Sequence, residues 1–66
     1  MFPMTFCSLE KGEHSASLVW ADSSLRVLYV AGDLPISWQG VDATQAVTRL
    51  LSAGWKEEVR GKVEDI

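Results

Sequence analysis

Cys7 is the only cysteine in this chain of 66 residues, which closes off most of the ways so short a polypeptide holds itself together. No internal disulfide can form, and zinc frameworks built on paired cysteines are excluded. A chain of this size buries only about 60% of the surface that its unfolded form exposes. Dense packing around the three tryptophans remains, or association with further copies. A homo-oligomer, most simply a homodimer, is expected on that ground.

Residues 41–55 are the clearest piece of local structure. Asp42 is a good N-cap, with Gln45 three residues on as in a capping box, and Val41 can pack on Ala46 as a weak staple. Ala43, Ala46, Val47, Leu50 and Leu51 then recur as one apolar face, while Thr44, Gln45, Thr48, Arg49 and Ser52 take the wet side. Arg49 lies near the negative end of the dipole, and Gly54 is placed to end the helix in a left-handed conformation. A helix of about twelve residues is marginal alone in water, so a packing surface has to come from upstream.

That surface reads as a sheet. Residues 5–9 suit a first strand, with Pro3 where a strand begins or at an edge. Residues 10–13 are a turn containing Gly12, and residues 15–21 alternate, with Ala16, Leu18 and Trp20 on one side. Residues 25–31 form the most strand-like run, apolar on both faces apart from Arg26, a pattern that predicts a central strand. Residues 55–66 read either way. Gly61 inside a helix costs about 1 kcal/mol relative to alanine, so a strand over about 55–59 with an acidic tail is predicted. Strands 5–9 and 15–21 are expected to offer the open edge through which a second copy could pair.

Charge and hydropathy narrow the function classes. Nine acidic against six basic residues give a formal charge of −3. Nucleic-acid binding needs a basic face to displace counterions, and none is expected here. No apolar run approaches the roughly 18 residues that span a membrane, and no basic n-region precedes an apolar stretch. A cytoplasmic protein with a reduced thiol and no membrane association is the expectation.

Candidate chemistry is sparse. Cys7 and His14 are the only pair inviting a nucleophile, but a hairpin placing Leu9 near His14 and Cys7 near Ala16 would offset them, and neither an orienting group nor an oxyanion site is identifiable. Asp22, Asp33 and Asp42 sit where turns or caps favour aspartate, so no metal site and no cofactor are expected. The glycines match neither phosphate-binding nor dinucleotide-binding loops. No catalytic residue is assigned. The connection 32–40 is longer than the median loop and carries Trp38, the residue type most enriched at interface hot spots. Pro35 would stiffen that loop, Ile36 accompanies the tryptophan, and Asp33 and Gln39 would supply a polar rim. Ile36 and Trp38 can equally fold back to plug the rim of the core.

Two runs carry a resemblance to known families. Asp33-Leu34-Pro35, followed by Gly40-Val41-Asp42-Ala43 and Ala46, resembles the HicB-type antitoxins over about fifteen residues of turn and cap chemistry. That resemblance implies three strands, a turn and a helix in a protein that neutralises a partner, often with a DNA-binding tail. This chain lacks the Gly-Cys usual after the proline, spaces the helix differently, and is expected to leave no room for such a tail. Leu50-Leu51-Ser52-Ala53-Gly54-Trp55 is similar to the helix-glycine-aromatic-strand step of several very small sheet-plus-helix families. No site residue is transferred from either.

The reading is one α+β domain over residues 1–66, ordered β-β-β-α with a last strand, its helix packed across one face of an antiparallel sheet. The expected function is a non-catalytic interaction or regulatory module that binds another protein. A small-ligand binder using a pocket between the 32–40 loop and the helix is the alternative. Enzymatic activity comes third.

Overall fold

A computed structural model of the protein describes residues 3–34 and 36–63. Its strands β1 (Met4–Lys11), β2 (His14–Ala21), β3 (Val27–Gly32) and β4 (Lys56–Val63) form one antiparallel sheet in the order β3-β2-β1-β4. A short 3-10 turn (Ile36–Trp38) and the helix α1 (Ala43–Ser52) lie between β3 and β4. The α+β architecture expected from the residues is the one observed.

Helix α1 follows its local chemistry. The Asp42 carboxylate accepts from the Gln45 backbone N–H at 3.1 Å. At the other end Gly54 takes φ +99°, the Trp55 N–H reaches Leu50 O at 3.0 Å and the Gly54 N–H reaches Leu51 O at 3.1 Å, a Schellman stop. Ala43, Ala46, Val47 and Leu50 are buried; Leu51, assigned above to the same face, is 47% exposed. It lies about 100° round the helix from Leu50, beyond the stripe that meets the sheet.

Four features differ from expectation, and one topological fact explains most of them. The crossover through α1 returns β4 beside β1, so β1 and β2 are central and β3 is an edge strand. The open edges are therefore not residues 5–9 and 15–21. The outer side of β3 is itself partly closed by the loop that caps α1: the Val27 N–H donates to Val41 O at 3.0 Å, and Val27 O accepts from the Gly40 N–H at 2.8 Å. The β1–β2 hairpin turns over residues 12–13 alone, which sets Leu9 opposite Ala16 and Cys7 opposite Leu18. Strand β4 runs on to Val63, with the sheet supplying pairing partners as far as Met4. The expected acidic tail, residues 64–66, lies outside the described residues.

The core occupies one side of the sheet. Cys7, Leu9, Leu18, Trp20, Val27 and Val30 pack against Ala43, Ala46, Val47 and Leu50. Each fully buried leucine or valine contributes about 1.5–3 kcal/mol. Leu34, Trp38, Val41 and Trp55 close the margin as partly buried neighbours. Among the described residues no helix is long and apolar enough to cross a membrane.

Candidate functional site

The register of β4 decides what the other side of the sheet looks like. Cys7 and Leu9 face the helix, so Phe6 and Ser8 between them face away. Gly61 pairs with Phe6 and Val59 with Ser8, which puts Val59 and Val63 on the face away from the helix, and Arg60 and Lys62 on the helix side. Two contacts confirm the direction. The Arg60 guanidinium carbon lies 5.4 Å from the ring centroid of buried Trp20, and Lys62 Nζ donates to Thr5 Oγ1 at 3.1 Å. From Val59 onward the last strand thus turns its charges toward the helix and its valines away from it.

That outer face is apolar and uncovered. Its middle row runs across the sheet as Gly61, Phe6, Val19 and Tyr29. The next row is Val59, Ser8, Ser17 and Ala31, and the hydroxyls of Ser8 and Ser17 meet at 3.4 Å. Tyr29 is 57% and Val59 53% exposed, while Phe6 and Val19 keep part of their surface open. The Phe6 ring leans over Gly61: a Cβ there would lie 2.8 Å from the ring. Sequence reading missed this face. The signal was present in the two-sided apolar pattern of residues 25–31, but placing Val59 needed the pairing register.

The loop residues singled out above are mostly engaged within the chain. Trp38 ends the 3-10 turn and packs, partly buried, against the core. The Asp33 carboxylate accepts from the Ser15 N–H and pairs with His14 Nδ1, both at 3.3 Å. The Gln39 amide donates to Leu28 O at 3.4 Å, which lays the loop along β3. Pro35 and the Ile36 side chain lie outside the described residues.

Cys7 and His14 stay apart. Both fall on the helix side of the sheet, rather than on opposite faces, but Cys7 is fully buried opposite Leu18 while His14 is exposed at the hairpin end. They are separated by ~13 Å of strand. Burial, and then the Glu57 carboxylate beside it, pushes the Cys7 thiol up, which favours the neutral thiol over the thiolate that a nucleophile needs. Among the described residues no three His, Cys, Asp or Glu side chains gather where they could hold a metal ion.

On the helix side, the stretch of β4 from Arg60 to Lys62 stays open beside α1. Two adjoining cavities of about 270 and 510 Å³ lie there, sharing Trp20, Leu25 and Arg60 as lining residues. Thr44 and Thr48 line the first, and Asp22 and Lys62 the second. This trough is on the β4 flank of the helix, away from the 32–40 loop. Leu25 at its margin has φ +56°, a left-handed conformation that costs a leucine about 1–2 kcal/mol.

Comparison of the chain with family models, with curated proteins and with solved structures gave no match, so the likeness of residues 33–46 to HicB-type antitoxins carries no further weight.

Proposed function

We propose that this chain is a non-catalytic interaction module that binds another protein through the uncovered face of its sheet. The orientation of β4 carries the reading. A strand with two valines on one side and an arginine and a lysine on the other would ordinarily bury the valines under the helix. Here Val59 and Val63 extend the apolar face that Phe6, Val19 and Tyr29 begin. A contiguous apolar patch rimmed by polar residues is the usual mark of an interaction surface.

The test is affinity capture with wild-type bait, with Tyr29→Glu, and with Arg49→Glu on the wet side of the helix as a control. The captured protein is then purified and its affinity measured by calorimetry. Wild type and Arg49→Glu should bind alike, and Tyr29→Glu should lose at least tenfold in affinity. Equal binding by all three baits removes the sheet face from consideration.

A second reading, a small-ligand binder, has the trough beside β4 in its favour, since its larger part falls within the ~300–1,000 Å³ typical of ligand sites. Thermal-shift screening of metabolites against wild type and Thr48→Trp, which would obstruct the trough, tests it. A ligand whose stabilisation disappears in Thr48→Trp supports it.

A further inference from the structure

We infer that the occupant of the uncovered face is a second copy of this chain, seated face to face about a two-fold axis that lies between the Phe6 row and the Ser8 row. The inference rests on the reading of that face as a protein-binding surface and names the partner. Three observations support it.

The first is charge. Two copies of a chain with formal charge −3 repel wherever their acidic surfaces approach. The two rows beside the axis carry no charged side chain, and the next row outward pairs Glu10 with Lys56 and falls over Met4, Ala21 and Val63 of the other copy, so two copies can meet there without bringing like charges together. A basic partner would more naturally be met by a face that displayed the acidic residues.

The second is shape. Phe6, Val19 and Tyr29 stand as a ridge; Ser8, Ser17 and Ala31 beside them form a shallower row. An axis between the rows, parallel to them, brings the ridge of each copy onto the shallow row of the other. The contact is then isologous, with side chains interdigitating as in packed sheets.

The third is area. Four strands at ~4.8 Å spacing and six to seven residues at ~3.4 Å give a face of roughly 450 Å², or about 900 Å² for two copies. That falls just short of the ~1,000 Å² that a specific interface requires and matches weak, transient contacts, so the dimer is sought at micromolar and higher concentrations.

The experiment is sedimentation equilibrium of the whole chain over ~5 to ~500 μM, concentrations suited to so weak a contact. Wild type should move from 7.3 kDa toward twice that mass. Tyr29→Glu, at an edge-strand position that is more than half exposed, should remain monomeric with an unchanged circular-dichroism spectrum. Ala31→Phe separates matched packing from plain stickiness. It adds apolar surface but fills the shallow row, so association should weaken at least fivefold. A wild type that stays at 7.3 kDa throughout overturns the second copy as partner; loss of captured partner in Tyr29→Glu would then still uphold the face itself. A dimer that persists in Tyr29→Glu, or tightens in Ala31→Phe, overturns the face-to-face arrangement.

Discussion

Arg60 of the last strand reaches over the indole of Trp20, two strands away, with its guanidinium carbon 5.4 Å from the ring centroid. The same guanidinium is held by both Glu57 carboxylate oxygens, at 2.9 and 3.0 Å. Cys7 lies opposite Arg60 on the intervening strand, so this side chain covers the part of the core that α1 does not reach.

Replacing Arg60 with alanine should therefore cost more than a surface ion pair. Cation–π attraction at a half-exposed site contributes about 0.5–1 kcal/mol, and the aliphatic stem adds packing. A loss of about 1–1.5 kcal/mol, or roughly 4–12 °C in Tm for a domain this small, is expected by calorimetry. Cys7 should also react faster with a thiol reagent. Arg60→Lys should fall between, since an ammonium cannot reproduce the bidentate fork. Unchanged Tm and unchanged thiol reactivity in Arg60→Ala would contradict the covering role.

Gly32 cannot accept a side chain. Its φ is +86°, and a Cβ would lie 2.3 Å from Ser15 O and 2.8 Å from the Ala16 Cα, both backbone atoms of the central strand β2. Gly32→Ala should destabilise by about 2–3 kcal/mol, because strain and clash add. Chemical denaturation gives the answer directly, and a loss below 0.5 kcal/mol (roughly the scatter for neutral surface changes) would place β3 differently.

Leu25 makes the opposite case. It holds a left-handed conformation at 44% exposure, with its N–H on Ala21 O and its carbonyl on the Ala43 N–H, both at 2.8 Å. Asparagine tolerates that conformation far better than leucine. Leu25→Asn should raise stability by about 0.5–1 kcal/mol, measured as a shift in the urea midpoint. A fall of similar size would show that the leucine's contacts outweigh its backbone strain.

Asp22 links acid stability to the sheet. Lys62 Nζ at 2.6 Å, and then the Thr5 hydroxyl, hold its carboxyl below the usual carboxylate range. A depressed folded-state value means that the stabilisation is present above the unfolded value of about 4 and is lost as pH falls through the folded one. The urea midpoint should be level between about pH 5 and 7 and should drop below about pH 4. Asp22→Asn should reduce that drop, and added salt should blunt the difference, since the pair is open to solvent. An acid limb identical in wild type and variant would assign the loss to other carboxylates.

What the sequence revealed follows from where its signals are local. The cap at Asp42, the stop at Gly54 and the alternation of Ala16, Leu18 and Trp20 depend on neighbours a few residues away, and all three stand in the structure. Strand order does not. The two-sided apolarity of residues 25–31 predicts central burial, yet Tyr29 is 57% and Leu28 50% exposed on an edge strand. The side to which Val59 turns depends on its partner Ser8, 51 positions earlier (59 − 8), and on a register shift between Ser8 and Leu9. The same limit applied to the candidate site. Trp38 was legible as an unusual loop residue, but its packing on the core depends on the 3-10 turn and on Gln39 reaching Leu28.

The loop that runs alongside Val27 gives the sheet two unlike margins. Along β3 the backbone is already partnered at Val27, by Gly40 and Val41, and the Leu28 carbonyl takes the Gln39 amide. Along β4, among the described residues, no other strand follows. A sheet open at both margins can be extended without limit, as in fibrils. One with a margin obstructed can add a neighbour on the free side and then has little left to offer. Growth by strand addition alone should therefore end at a pair.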